Sequence, residues 1–133
     1  MMRAVLADAG PLYAIADESD ALHERATQEL RHLELDAREV LVSYPTLLET
    51  YSLVLYRMGN KAAAKWLTYI GDAIFLNATP EDYRQALVRV RNVGDQHITL
   101  FDATLAQLAT RLRLEVWTYD HHFDAMRIPV WRA

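Results

Sequence analysis

The sequence predicts an α/β fold, a three-layer α/β/α sandwich with a central, mainly parallel sheet. Short apolar runs alternate along the chain with longer amphipathic segments, and glycine and proline are scarce, with 4 of each among 133 residues. Strands that are apolar throughout are typical of parallel sheets whose two faces are covered by helices. The length and the 52% hydrophobic content suit one domain with a substantial core.

Short apolar runs of four or five residues have the length and composition of buried strands. Helical segments lie between most of them, so we expect the strands to pair in parallel, which requires such crossover connections. The predicted strands are 3–7, 39–43, 73–76 and 114–118, with a fifth candidate at 128–131.

Helices are expected between the strands, where apolar residues recur every three or four positions. Gly10–Pro11 marks a turn into the first helix, and Pro45 and Pro80 suit the first turns of two others. Further helices are expected over 20–35, 61–70, 99–113 and, in one short turn, 121–125. On the helix that Pro80 opens, the apolar residues expected to face inward are Tyr83, Ala86, Leu87 and Val90.

Composition excludes several classes of protein. The chain has no cysteine, which excludes a disulfide scaffold, a thiolate metal site and a cysteine nucleophile. A net charge of −4 argues against nucleic-acid binding by bulk electrostatics, but not against an enzyme that holds phosphates through metal ions. Asp8 and Gly10–Pro11 interrupt the apolar N-terminal stretch, and no window reaches the ~18 apolar residues of a membrane helix. We therefore expect a cytoplasmic protein without membrane association.

Four acidic residues fall near the edge of the predicted sheet where ligands bind in such folds, beyond the carboxyl ends of the strands. Asp8 and Asp120 follow the first and fourth strands, Glu49 lies about one turn into the helix after the second strand, and Asp102 lies near the start of the helix before the fourth. Converging carboxylates repel one another, and a hard divalent cation such as Mg²⁺ or Mn²⁺ relieves that repulsion. The pattern indicates a metal site.

Each of these carboxylates also has a local explanation, as a helix cap or a turn residue. Thr46 and Glu49 have the spacing of a capping box, and Thr99 and Asp102 resemble one with Asp in place of Glu. Asp120 could cap the short helix that follows it, and the first carboxylate could shape the turn before Gly–Pro. The spacing alone leaves both interpretations open.

Motifs in the same order resemble those of the PIN domain family: Asp8-Ala-Gly-Pro-Leu-Tyr-Ala, Leu48-Glu49-Thr50, Phe101-Asp102-Ala103 and Thr118-Tyr-Asp120-x-x-Phe123. The resemblance covers essentially the whole chain, so residues 1–133 are expected to form a single PIN-like domain. VapC-type ribonuclease toxins of toxin–antitoxin pairs are similar in length. The resemblance implies a Mg²⁺- or Mn²⁺-dependent ribonuclease whose catalytic and metal-binding residues are Asp8, Glu49, Asp102 and Asp120.

The same resemblance implies an RNA substrate, a small antitoxin partner and a homodimer. Two other functions stay open: an RNA-processing nuclease without toxin biology, and a catalytically inactive PIN-like interaction module, against which the retained carboxylates weigh. Ala9 departs from the Ser, Thr or Asn that the family often has there, and Asp124 either supplements the site or is a surface charge. His121 and His122 are adjacent on a short helix and should point in different directions, so we do not expect them to cleave RNA together.

Overall fold

The computed structural model describes residues 3–94 and 97–133; the other four residues of the expected domain 1–133 (Met1, Met2, Asp95 and Gln96) lie outside the described residues. Strands and helices follow one another along these ranges as the apolar pattern predicts. They are β1 Ala4–Ala7, α1 Ala9–Ala16, α2 His23–Leu35, β2 Glu39–Ser43, α3 Tyr44–Met58, α4 Asn60–Ile70, β3 Ile74–Leu76, α5 Pro80–Asn92, α6 Leu100–Leu112, β4 Glu115–Trp117 and α7 His122–Ala125.

The sheet is parallel throughout, with the strand order β3-β2-β1-β4. Successive side chains of β1 point to opposite faces. Ala4 and Leu6 join a core formed with α5, α6 and α7, whereas Val5 and Ala7 join a second core formed with α1 to α4. The predicted three-layer α/β/α sandwich is confirmed.

The fifth strand candidate, 128–131, is reduced to a single parallel bridge between Val116 and Val130. The Val116 N–H donates to the Pro129 carbonyl at 3.0 Å, and the Trp131 N–H donates to the Val116 carbonyl at 2.9 Å. Pro129 has no N–H to donate to the next position of β4, so the pairing cannot extend toward its N-terminal side.

The prediction for the inner face of α5 is partly wrong. Tyr83 and Leu87 are exposed, and the buried positions of this helix are Ala86 and Asp82. The Asp82 side chain is only 1% exposed, and its carboxylate accepts hydrogen bonds from the Arg111 guanidinium of α6, at 2.8 Å from Nη2. An ion pair therefore occupies part of the surface where apolar packing is expected.

Within the two described ranges, no helix is long and apolar enough to cross a bilayer.

Strand order also decides where a ligand can bind. The chain passes from β1 to β2 and β3 on one side of the sheet and later returns to β4 on the other side of β1. In parallel sheets, the crevice for a ligand lies at the carboxyl ends of strands where the order reverses in this way. The Asp8 N–H donates to the Trp117 carbonyl at 2.9 Å, so the residues that follow β1 and β4 are neighbours at that crevice.

Candidate metal centre

Asp8 lies at the end of β1 and is the N-cap of α1. Its Oδ1 accepts a hydrogen bond from the Ala9 N–H at 2.8 Å, and its Oδ2 accepts one from the Thr118 hydroxyl at 2.7 Å. The residue is 7% exposed. Burial raises the pKa of this carboxyl, the two hydrogen bonds oppose the rise, and the charge of Asp120 adds to it.

Glu49 projects from α3, which begins at Tyr44 because Ser43 caps it. The Ser43 hydroxyl accepts a hydrogen bond from the Thr46 N–H at 3.2 Å, and Pro45 lies in the first turn. Glu49 is therefore beyond the positions that a capping box uses, and the capping interpretation of Thr46 and Glu49 is wrong. Burial raises the pKa of the Glu49 carboxyl to about 7, with contributions from the charges of Asp8, Asp102 and Asp120.

Asp102 is in the first turn of α6, where Thr99 is the N-cap. The Asp102 N–H donates to the Thr99 hydroxyl at 3.1 Å, which is one of the two bonds of a capping box. In the described structure the reciprocal bond, present between Thr79 and Asp82 in α5, is not formed here. Burial raises the pKa of Asp102 to about 6, assisted by the charges of Asp8 and Asp120.

Asp120 lies in the loop between β4 and α7. Its N–H donates to the Thr118 hydroxyl at 3.0 Å, and its Oδ1 accepts from the His122 N–H at 2.9 Å. The N-cap of α7 is His121, which makes no side-chain cap bond, so the interpretation of Asp120 as the cap is wrong; its carboxylate instead forms a turn just before the helix. It is also close enough to Asp8, Glu49 and Asp102 to raise the pKa of each.

The structure brings the four carboxylates into one electrostatic cluster. Within the described residues, no lysine or arginine forms an ion pair with any of them. Each ionised carboxylate therefore raises the cost of ionising the others, and a divalent cation would remove that cost. Carboxylate oxygens are the ligands that Mg²⁺ and Mn²⁺ prefer, so the residues present fit such an ion.

Asp124 is not part of this cluster. Its side chain is well exposed and lies 3.6 Å from the Arg132 guanidinium. Its charge is not among those that raise the pKa of Asp8, Glu49 or Asp102. Asp124 is therefore a surface charge, the second of the two interpretations left open by the sequence.

The model of the PIN domain family matches residues 5–129, a range that contains all four carboxylates. This chain belongs to the PIN domain family. The family that the motifs predict is thereby confirmed. A comparison with curated protein sequences gives no match for the chain.

Three solved structures resemble this PIN domain along nearly its whole length. VapC20 of Mycobacterium tuberculosis, described as a sarcin–ricin loop cleaving toxin, superposes with a TM-score of 0.84 at 20% identity over 97% of this chain and 99% of that one. VapBC2 of Rickettsia felis, bound to a fragment of promoter DNA, superposes with a TM-score of 0.74 at 11% identity, over 97% of each chain. FitAcB of Neisseria gonorrhoeae superposes with a TM-score of 0.72 at 21% identity, over 96% of each chain. At these identities, the likeness establishes the fold.

The loop that carries Asp120 in this PIN domain is anchored by a residue that sequence reasoning missed. Glu29, buried on α2, accepts hydrogen bonds from the Trp117 indole at 3.1 Å and from the Tyr119 hydroxyl. The Arg25 guanidinium lies 4.4 Å from the centre of the Tyr119 ring. Nothing in the pattern of α2 sets Glu29 apart from its exposed acidic neighbours; only the polar groups of Trp117 and Tyr119, which need partners when buried, hint at it.

Thr118 and His122 are further contributors to the site. The Thr118 hydroxyl connects Asp8 and Asp120, because it donates a hydrogen bond to the Asp8 carboxylate and accepts one from the Asp120 N–H. The rings of the two histidines are only 4.4 Å apart, closer than expected for side chains that point in different directions, but their exposure differs. His121 faces solvent, whereas the His122 ring lies against the acidic cluster.

Proposed function

We propose that this PIN domain is a ribonuclease that hydrolyses RNA phosphodiester bonds with Mg²⁺ or Mn²⁺ held by Asp8, Glu49, Asp102 and Asp120. The observation that carries the proposal is the placement of these four carboxylates beside the carboxyl ends of β1 and β4, close enough together that their charges, with burial, raise the pKa of Glu49 to about 7. A protein that needed these residues only as helix caps would have no reason to gather their charges in one partly buried crevice.

The chain's own residues fix the orientation of the cluster. The Ala9 N–H and the Thr118 hydroxyl each hold one oxygen of Asp8, so this carboxylate cannot rotate freely. The hydroxyl of Thr118 also fixes the backbone of Asp120. When bound, a divalent cation would neutralise the carboxylates, polarise the scissile phosphate and increase the acidity of a water molecule beside it.

Two arginines lie next to the cluster, and each is paired with an acidic residue, Arg25 with Glu29 at 3.4 Å and Arg132 with Asp124 at 3.6 Å. A cavity of about 160 Å³ beside the cluster is lined by Arg25 and Arg132, by the acidic residues Asp120 and Asp124, and by Tyr119. Arginine is well suited to hold phosphate oxygens, and an aromatic ring can stack on an unpaired base. In the proposed complex, phosphates of a single-stranded RNA would take the place of these acidic partners beside the two arginines.

The proposed biological role is that of the toxin of a type II toxin–antitoxin pair in the cytoplasm, with a small antitoxin protein as its inhibitor. Support comes from similar folds that are described as toxins or toxin–antitoxin complexes, including one from Klebsiella pneumoniae with a TM-score of 0.64. We further propose that the protein forms a homodimer. Measurement of its molar mass by light scattering would test this.

The test of the activity is cleavage of fluorescently labelled RNA by the purified protein. We expect cleavage to require Mg²⁺ or Mn²⁺, to stop with EDTA and to fall about 100-fold or more in Asp8→Asn. Asp124→Asn is the matched control, because it removes an equivalent charge from the exposed surface nearby. Undiminished cleavage in EDTA, or full activity of Asp8→Asn, would show the proposed function to be wrong.

The test of the toxin role is growth arrest on expression, relieved by a small neighbouring gene and absent in Asp8→Asn. Cleavage without growth arrest would favour an RNA-processing nuclease. A protein that cleaves no RNA but captures a partner would favour an interaction module.

A further inference from the structure

His122 presents a buried ring nitrogen to the acidic cluster. Its Nδ1 lies 3.0 Å from Asp120 Oδ1 and 3.8 Å from Asp102 Oδ2, and its side chain is 16% exposed. Among the described residues, none forms a hydrogen bond with this nitrogen, in spite of the short approach to Asp120. Buried polar atoms without a partner are rare and call for an explanation.

The distances suit a shared ion. Two ligand atoms at ~2.1 Å from one octahedral ion and at right angles to each other lie about 3 Å apart. In that arrangement, the oxygen lies well off the axis of the ring nitrogen, where a straight hydrogen bond cannot form. If His122 Nδ1 and Asp120 Oδ1 face the same cation, that cation explains both the burial of Nδ1 and the absence of a hydrogen bond between the two atoms at 3.0 Å.

The neighbouring histidine does not share these properties. Asp120, His121 and His122 offer ligand atoms within 4.8 Å of one another, but the His121 side chain is 81% exposed and its Nδ1 is 3.9 Å from Asp120. His122 is fixed by its backbone, whose N–H donates to Asp120, and by the fully buried Phe123 that anchors α7. Of these two histidines, only His122 is held in place against Asp102 and Asp120.

We propose that His122 is a nitrogen ligand of the carboxylate metal site and shifts its preference from Mg²⁺ toward transition-metal ions such as Co²⁺. The inference deepens the proposed function and rests on it for the presence of a cation. Imidazole binds transition ions well and Mg²⁺ poorly, because Mg²⁺ strongly prefers oxygen ligands. One nitrogen among four carboxylates thus increases the preference of the site for Co²⁺ over Mg²⁺.

The first experiment is calorimetric titration of the full chain at pH 8 with Co²⁺ and, separately, Mg²⁺, for wild type, His122→Gln and His121→Gln. We expect His122→Gln to weaken Co²⁺ binding about 10-fold or more and Mg²⁺ binding less than about threefold. His121→Gln should change neither. A Co²⁺ affinity that stays constant or rises in His122→Gln would overturn the proposal, a rise being the result for a histidine that acts as a competing cation.

The second experiment needs no substitution and so does not depend on how a variant folds. Pulsed EPR of the Mn²⁺-loaded wild type should show coupling to a directly bound ¹⁴N, and labelling with [¹⁵N]histidine should convert it to ¹⁵N coupling. The signal should persist in His121→Gln and vanish in His122→Gln. Bound Mn²⁺ without nitrogen coupling, or a signal lost in His121→Gln instead, would overturn this inference alone. A wild type that binds none of the three ions would overturn it together with the proposed function.

Discussion

Replacing Asp102 with asparagine should stabilise the metal-free protein at pH 8. Burial and neighbouring charges raise the pKa of Asp102 from 3.8 to about 6. Each pKa unit corresponds to about 1.4 kcal/mol, so ionising this carboxyl costs about 3 kcal/mol more in the folded protein than in the unfolded chain. The asparagine amide has the same shape without the charge. Because the buried amide also loses contact with water, part of this gain is offset, and we expect the free energy of unfolding to increase by about 1–3 kcal/mol.

The sign and pH dependence follow from linkage. A carboxyl whose pKa is higher in the folded state makes the protein lose stability as the pH rises from about 4 to about 6, and the full deficit is present above that range. At pH 5, the unfolded chain has already released its proton while the folded protein mostly retains it. The advantage of Asp102→Asn should therefore be about half as large at pH 5 as at pH 8.

The assay is urea denaturation in EDTA, followed by circular dichroism at both pH values. Asp124→Asn is the control and should change the free energy of unfolding by less than about 0.5 kcal/mol, since that residue is exposed. A loss of stability in Asp102→Asn at pH 8 would mean that the negative charge of Asp102 stabilises the start of α6 more than it repels its neighbours. That result would refute the electrostatic reasoning for the site.

Three other substitutions or conditions give independent tests. Arg111 lowers the pKa of Asp82 to about 2, so Asp82→Asn should cost about 2 kcal/mol at pH 7 and about half of that at pH 3 in urea denaturation; a pH-independent loss would contradict the ion-pair explanation. Thr118→Val removes the hydroxyl that holds Asp8 and should weaken Mn²⁺ binding about 10-fold in calorimetry, whereas unchanged affinity would mean that this hydrogen bond does not orient the ligand. Protons compete with cations at Glu49, whose pKa is about 7, so the Mn²⁺ affinity of the wild type should fall as the pH is lowered from 8 to 6. The fall should be less steep in Glu49→Gln. Equal pH dependence of Mn²⁺ affinity in the two proteins would count against Glu49 as a ligand.

The layered fold could be predicted from the sequence because its strands are short and mostly apolar, a pattern typical of a parallel sheet that is covered on both faces. The exceptions have local physical causes. A pattern of apolar residues does not show that Pro129 prevents the pairing of the fifth run from extending toward its N-terminal side. It also does not show that Asp82 and Arg111 take part of the inner face of α5 and leave Leu87 exposed.

The candidate site was predictable in part. Asp8 and Asp120 follow strands directly, and the rule for parallel sheets places them at one edge. Glu29 was not predictable, because its role depends on contacts with Trp117 and Tyr119, which are about 90 positions away in the sequence. The role of His122 likewise depends on a loop conformation that the residue spacing does not define.

Titration of the metal-free protein with Mn²⁺ at pH 8 tests most directly whether the four carboxylates together hold a cation. We expect saturable binding by the wild type, affinities at least about 10-fold weaker in Asp8→Asn, Glu49→Gln, Asp102→Asn and Asp120→Asn, and an unchanged affinity in Asp124→Asn. A wild type that binds no Mn²⁺, or four variants that bind it as well as the wild type does, would contradict the assignment of this metal centre.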